Sequence, residues 1–212
     1  MNPMFITFEG IEGCGKSTQA RLLFGALRKR GIEALLTREP GGTRIGEKIR
    51  NILMSTANSE LCAAAEFLLL EADRAQHVAQ LIGPAVEKGI VVICDRFCDA
   101  TVAYQGYGRK VDLDFIEKLN SYASNGLRPD KTFLLDCPVE VGLSRAIERN
   151  ERIQKQAEGR FEAEDLEFHQ RVRKGYLALA QKEPDRFVVL DATKVREKLA
   201  VEVWQVVESL LG

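Results

Sequence analysis

Apolar and polar residues follow two different patterns along the chain. Short runs rich in β-branched or aromatic residues predict strands, and stretches with an amphipathic period near 3.6 residues predict helices between them. The strands are predicted at 4–9, 33–37, 90–94, 131–136 and 186–191. The helices are predicted at about 17–30, 44–54, 59–88, 112–124, 138–152, 162–182 and 195–211. Strict alternation of this kind is typical of an α/β protein with a parallel sheet.

Two of the predicted strands, GIVVIC at 89–94 and TFLLD at 132–136, are nearly continuous apolar runs. Strands of that kind are buried on both faces, which favours a doubly wound five-stranded parallel sheet with helices on either side. Neither an internal repeat nor a proline- or serine-rich linker divides the chain, so residues 1–212 are expected to form one domain. Ligands of such sheets bind beyond the carboxyl ends of the strands, which makes the loops there the candidate sites.

Composition removes several classes of function. A formal net charge of −1 gives no basic field that would attract nucleic acid or an anionic membrane surface. The apolar start at 4–8 is too short for a signal peptide, and no apolar run is long enough to span a bilayer, so a cytoplasmic protein is expected. The five scattered cysteines lack any C-x-x-C pair, which predicts free, mostly buried thiols and no zinc site.

The loop after the first strand fits the pattern G-x-x-x-x-G-K-[ST] and leads directly into a helix. Its glycines allow consecutive N–H groups to point at phosphate, and the helix N-terminus adds its positive dipole end. Lys16 is expected to reach the β- and γ-phosphates of ATP, and the Ser17 hydroxyl to ligate Mg²⁺. The predicted ATP site comprises Gly10, Ile11, Glu12, Gly13, Cys14, Gly15, Lys16, Ser17 and Thr18.

The loops after the second and third strands carry further charged residues. The second strand ends in REPGGT at 38–43, and Arg50 follows in the next helix, so that two arginines are placed to hold a second anion. The third strand ends in Asp95, placed as a Mg²⁺ ligand, and Arg96. A GTPase switch is disfavoured because its usual N-K-x-D and D-x-x-G motifs are absent from the sequence.

The order of the phosphate loop, REPGGT, EADRAQH, DRF and AYQG resembles that of thymidylate kinases, and the similarity extends from about Phe5 to Asp191. This resemblance implies a P-loop nucleoside monophosphate kinase that transfers the γ-phosphoryl group of ATP to dTMP with Mg²⁺. It also implies a homodimer packed through the apolar helices near 59–82 and 98–107.

The same resemblance assigns roles in the acceptor site. Arg38, Arg50 and Arg96 are expected to hold the acceptor phosphate; the alternative is that they are surface arginines paired with Glu39 or Asp95. The residues expected to contact the base or sugar are Arg74, Thr101, Tyr104 and Gln105. Glu12 and Glu39 are expected to contact either the sugar 3′-hydroxyl or a Mg²⁺-bound water. Arg74 and Gln105 would read the thymine carbonyl and N3–H, unless Arg74 only pairs with Glu71. Tyr104 would exclude a 2′-hydroxyl, unless it is a core tyrosine.

Two positions depart from the family pattern. Leu70 stands where an aromatic ring commonly covers the thymine, and Phe67 on the same helical face is the expected replacement. Ala100 stands where the family signature has serine. These departures leave open a second interpretation, a kinase that acts on another pyrimidine nucleoside monophosphate.

A cluster of basic residues at about 145–161 lies between two predicted helices. The phosphate loop contains no arginine, and the pattern resembles the bacterial subgroup, in which a mobile lid supplies the catalytic cation. The candidate lid cations are Arg149, Arg152, Lys155 and Arg160. The alternative is a solvated helix face.

His77 and His169 are expected to face solvent or partners. A degenerate module that holds ATP without transfer remains a third interpretation of the function, and the intact Lys16 and Asp95 disfavour it.

Overall fold

The computed structural model describes residues 4–152 and 159–211. Its five strands form one parallel sheet with the order β2-β3-β1-β4-β5. The strands are β1 (Phe5–Glu9), β2 (Ala34–Arg38), β3 (Val91–Asp95), β4 (Lys131–Asp136) and β5 (Phe187–Asp191). The chain moves to one side of β1 and then to the other, which confirms the doubly wound sheet.

Helices connect the strands throughout the described residues. They are α1 (Lys16–Lys29), α2 (Arg44–Met54), α3 (Ala63–His77), α4 (Gly83–Glu87), α5 (Cys98–Thr101), α6 (Leu113–Ala123), α7 (Val139–Arg152), α8 (Leu166–Lys182) and α9 (Arg196–Leu211). A 3₁₀ turn lies at Thr56–Asn58, and π-helical segments follow α3 at Val78–Ile82 and α5 at Val102–Gly108.

Apolar clusters lie on both faces of the sheet. Ile6 of β1 and Ile93 of β3 belong to the larger cluster, whereas their neighbours Phe5 and Val92 belong to the smaller one. Because successive strand residues point to opposite faces, helices cover the sheet on both sides, as the apolar strand sequences predicted.

The helical segment at 98–108 was not among the helices that periodicity predicted, although the family resemblance included it. Residues 98–108 combine one α-turn with a π-helical segment, so their apolar positions do not repeat at 3.6 residues. Tertiary packing holds the segment: a Cβ at Gly108 would lie 2.6 Å from the Phe168 ring of α8. The predicted helix at 59–88 also begins later, at Ala63, and contains the π-helical segment at Val78–Ile82.

Candidate active site

The phosphate loop joins β1 to α1 and depends on glycine backbone angles. Gly10 and Gly13 have φ of 136° and 68°, which side chains rarely adopt, and a Cβ at Gly13 would lie 1.9 Å from the carbonyl oxygen of Gly142 in α7. Lys16 Nζ donates to the carbonyl oxygens of Gly10 and Ile11 at 2.9 and 2.7 Å. No side chain caps the start of α1, so the helix terminus offers N–H groups to an anion.

The side-chain oxygens of Ser17 and Asp95 lie together at the end of β3. The Ser17 hydroxyl donates to the Asp95 carboxylate. Mg²⁺ is usually bound by one or two protein oxygens together with substrate phosphates and water, so this pair fits that ion. Among the described residues, no group of three or more His, Cys, Asp or Glu side chains forms a closed metal site.

Two adjoining cavities meet at the phosphate loop. One of about 410 Å³ is lined by Gly15, Thr18 and Arg145, and one of about 180 Å³ extends away toward Leu70 and Gln105. Residues that line both are Gly13, Lys16, Ser17, Arg38, Arg50, Met54, Arg149 and Glu162. The arrangement suits two ligands that meet at Lys16 and Ser17.

The smaller cavity gathers most of the residues predicted for the acceptor. Its lining includes Glu12, Arg38, Glu39, Arg50, Leu70, Arg74, Asp95, Arg96, Ala100, Thr101, Tyr104 and Gln105. Phe67 is not among them: it is 2% exposed, and its ring packs edge-on against Phe115 of α6 at 5.9 Å. The structure therefore corrects the expectation that Phe67 replaces the missing ring at Leu70.

Arg96 is held at the mouth of the acceptor cavity by a buried polar cluster. Its φ of 75° is left-handed, an uncommon conformation for a residue with a side chain. The guanidinium donates to Glu12 at 3.1 Å, to the Tyr104 hydroxyl at 2.9 Å and to the Tyr176 hydroxyl at 3.1 Å. The Arg96 guanidinium thus pairs with Glu12 and not with Asp95. Because Glu12 belongs to the phosphate loop, this pair holds the guanidinium beside that loop.

Glu12 is ionised despite its burial. Desolvation acts to raise its pKa, but the close approach of His169 and the charges of Arg96 and Lys16 hold the pKa well below its usual value. Tyr104 Oη donates to Glu12 Oε1 at 2.5 Å, and His169 Nδ1 lies 3.4 Å from Oε2. His169 is fully buried, so the expectation that it faces solvent was wrong.

A second buried cluster surrounds Glu39. His77 Nδ1 lies 3.0 Å from Glu39 Oε1, and its Nε2 lies 2.6 Å from the Thr37 hydroxyl. His77 is therefore also buried and not solvent-facing, because it joins β2 to α3 across the interior. Desolvation, and then repulsion from Glu39, raise the pKa of Asp73 to about 7. This cluster holds the middle of the REPGGT loop, where Asp73 accepts from the Gly41 amide.

Arg74 lies at the far end of the acceptor cavity and is 2% exposed. It donates to Glu39 Oε2 at 3.0 Å and to Thr101 Oγ1 at 3.0 Å. It also donates to Glu71 and Asn120 at 2.6 Å each. The ion pair between Arg74 and Glu71, which the sequence offered as the alternative to base reading, is thus present. Arg74 nevertheless also lines the cavity.

The predicted lid cations occupy different environments. Arg149 lines both cavities, is half exposed and pairs with Glu162 at 3.2 Å. Arg152 is exposed at the end of α7 and lines neither cavity, and Lys155 lies outside the described residues. Arg160 is buried and also lines neither cavity, because its guanidinium donates to Leu53 O at 2.6 Å and to Glu66 at 2.5 Å.

Several neighbours of the site were not found by sequence reasoning. Tyr176 and His169 of α8 hold the Arg96 and Glu12 cluster, and Glu66 of α3 contacts Gln105. The only available signal for Glu66 was its position on the helix: it lies one turn before Leu70 and two turns before Arg74, on the same helical face. The α8 residues gave no local signal, because they are distant in sequence from every motif.

A parallel sheet of this order, with a phosphate loop between the cavities and arginines around the second cavity, defines a P-loop nucleoside monophosphate kinase. The thymidylate kinase family model matches residues 8–203. A thymidylate kinase of Trichlorobacter lovleyi is 54% identical over 99% of both chains, and one of Desulfovibrio desulfuricans is 50% identical over 98% of this chain and 96% of its own. The crystal structure of thymidylate kinase from Ehrlichia chaffeensis superposes with a TM-score of 0.77 at 35% identity, covering 98% of this chain and 99% of that one. This chain belongs to the thymidylate kinase family.

No helix in the described ranges has the length and apolar character needed to cross a membrane.

Proposed function

We propose that this chain transfers the γ-phosphoryl group of ATP to dTMP and releases dTDP and ADP. The observation that carries the proposal is the acceptor cavity, which runs from Lys16 to Arg74 and Gln105. At its far end, Gln105 Oε1 is buried and has no partner among the described residues, so it suits an N–H donor such as thymine N3–H. The relatives named above favour dTMP over the other pyrimidine nucleotides that the sequence left open.

The transfer itself needs positioning and charge neutralisation more than covalent chemistry. An oxygen of the dTMP phosphate attacks the γ-phosphorus of ATP, the bond from that phosphorus to the β,γ-bridging oxygen breaks, and ADP leaves. Lys16 and the loop amides hold the ATP phosphates, while Arg38, Arg50 and Arg96 hold the acceptor phosphate. Arg149, which borders both cavities, supplies the lid cation.

Ser17 and Asp95 are the proposed ligands of Mg²⁺. When bound, the ion would neutralise negative charge on the ATP phosphates. Their two oxygens open onto the acceptor cavity, and Ser17 also lines the cavity proposed for ATP.

Tyr104 is proposed to exclude ribonucleotides. Its ring packs against Phe161, Phe168 and Tyr176, and its hydroxyl is held by Arg96 and Glu12. A ring fixed from both ends cannot move aside for an added 2′-hydroxyl.

The proposed function is tested with a panel of nucleoside monophosphates in an ADP-release assay. We expect the highest kcat/KM for dTMP. dUMP should be lower by one or two orders of magnitude, because one methyl group in an apolar pocket is worth roughly 1–3 kcal/mol. Equal values for dTMP and dUMP, or a preference for dCMP, would contradict a thymine site. Zero turnover with every acceptor would favour a module that only holds ATP.

We further propose a cytoplasmic homodimer. All five cysteines are free, as in reducing compartments. Leu68 of α3 and Phe115 of α6 are about half exposed, and Phe115 contacts Phe67 of α3. Of the two segments expected at the interface, most residues at 98–107 are buried within the chain itself. We therefore place the interface on α3. Leu68→Lys should halve the mass measured by light scattering, and an unchanged mass would exclude this interface.

A further inference from the structure

Glu66 of α3 is a fully buried carboxylate at the centre of a four-residue network. Gln105 Nε2 donates to its Oε1 at 2.9 Å. Arg109 donates to Oε1 and Oε2 at 3.2 and 3.1 Å, and Arg160 Nη2 donates to Oε2 at 2.5 Å. The carboxylate therefore joins a residue that lines the acceptor cavity to an arginine of the segment at 145–161.

The two arginines keep this carboxylate ionised. Desolvation acts to raise the pKa of Glu66, but hydrogen bonds and charge from Arg109, followed by the hydrogen bond from Arg160, lower the pKa below its usual value. An ionised carboxylate can only accept hydrogen bonds. A protonated one would also be able to donate to an amide oxygen.

The orientation of the Gln105 amide follows from that charge. Because Glu66 only accepts, the amide nitrogen must face it, and the amide oxygen must point elsewhere. Gln105 lines the acceptor cavity, and its Oε1 is the atom left without a partner. The free oxygen accepts from an N–H group, as at N3 of thymine or uracil, but cannot bond to the bare N3 of cytosine, which is itself an acceptor.

We propose that Glu66 is a positioning residue that fixes the Gln105 amide with its oxygen toward the base, and so makes the kinase prefer pyrimidines that carry N3–H. This inference rests on the proposed function, in which Gln105 contacts the base of dTMP. Arg160 is then an orienting residue: it holds Glu66 at one end and Leu53 O, at the end of α2, at the other.

The test compares kcat/KM for dTMP with kcat/KM for dCMP in the wild type and in Glu66→Gln. The neutral amide has the same shape but both donates and accepts, so Gln105 is free to turn. We expect the ratio of the two values to fall at least about tenfold, because a site built to hydrogen-bond one edge strongly rejects another only while its polar groups stay oriented. The matched control is Glu164→Gln, which removes another carboxylate that binds Arg109 at 2.5 Å but leaves Glu66 in place.

Glu66→Gln leaves two guanidiniums beside a neutral side chain, which is costly in a buried site. If the variant does not fold, Glu66→Gln combined with Arg109→Met removes the more exposed of these charges and is measured in the same way. A ratio that falls in the Glu66 variant but not in Glu164→Gln supports the inference. Parallel losses for dTMP and dCMP, with the ratio unchanged, would overturn it and leave a structural role only. A wild-type enzyme without dTMP turnover would overturn the proposed function first, and the inference with it.

Discussion

The phosphate loop and the base-reading end of the acceptor cavity are built in different ways. The loop is one continuous segment whose backbone carries the chemistry, with Lys16 closed onto the Gly10 and Ile11 carbonyls. The base-reading end is a network of side chains: Arg74 is joined to Glu39, Glu71, Thr101 and Asn120. A change in the loop should therefore affect turnover alone, whereas a change in the network should affect selectivity and stability together.

Lys16→Ala gives the largest expected effect and tests the loop side of this comparison. The side chain acts on phosphate charge, and removing one preorganised electrostatic group from a transfer site costs roughly 10²–10³ in kcat. We expect a loss at the upper end of that range, because no other lysine lines either cavity among the described residues. The melting temperature should change by only a few degrees.

Lys29→Ala, an exposed position at the end of the same helix, is the matched control and should keep full activity. Turnover of Lys16→Ala within tenfold of the wild type would contradict the assignment of the phosphate loop.

Arg149→Ala should give the next largest effect. A cation that acts mainly in the transition state lowers kcat when it is lost, with little change in the KM for dTMP. We expect a loss of kcat on the order of 10², below the 10³–10⁵ known for arginine fingers, because Arg152 and Lys155 are near in sequence. The measurement is kcat and both KM values.

Arg160→Ala serves as the contrast to Arg149→Ala. It removes one of the two arginines that pair with the buried Glu66, so it should lower the melting temperature more than Arg149→Ala does and lower kcat less. If Arg149→Ala is silent, the combined change of Arg149, Arg152, Lys155 and Arg160 to alanine decides the question. A combined variant that retained most of its kcat would show that none of these four cations acts in the transfer.

The same contrast explains which parts of the site could be predicted from the sequence. The strands appeared within a residue of their predicted bounds, and the phosphate loop was evident, because both depend on neighbouring residues. The environments of His77, His169 and Arg160 were not predictable in this way. Each is bonded to or in contact with partners 38 or more residues away in sequence, and only the three-dimensional fold supplies those partners.

Tyr104→Phe tests whether a single hydroxyl at the junction of the two regions excludes ribose. The Tyr104 hydroxyl joins Arg96 to Glu12, and its loss frees the ring to shift. We expect the preference for dUMP over UMP, two substrates that differ only at the 2′ position, to fall several-fold to about tenfold in kcat/KM. Tyr122→Phe, at an exposed tyrosine, is the control. An unchanged preference would assign Tyr104 to packing alone.

Leu70→Phe should give the smallest effect, and the only gain. Leu70 lines the acceptor cavity on the same helix as Arg74, and Phe67 is turned away toward Phe115, so no aromatic ring from this part of α3 borders the base position. Stacking of a base on an aromatic side chain is worth roughly 1–3 kcal/mol where it has been measured on single-stranded nucleic acids. The cavity is small, at about 180 Å³, so part of that gain is offset by crowding, and we expect the Kd for dTMP to fall about threefold to tenfold. Leu70→Met adds an unbranched chain without a ring and controls for contact area. Calorimetric titration measures both variants, and weaker binding by Leu70→Phe would mean that the network around Arg74 leaves no room for a ring and reads the base by its polar edge alone.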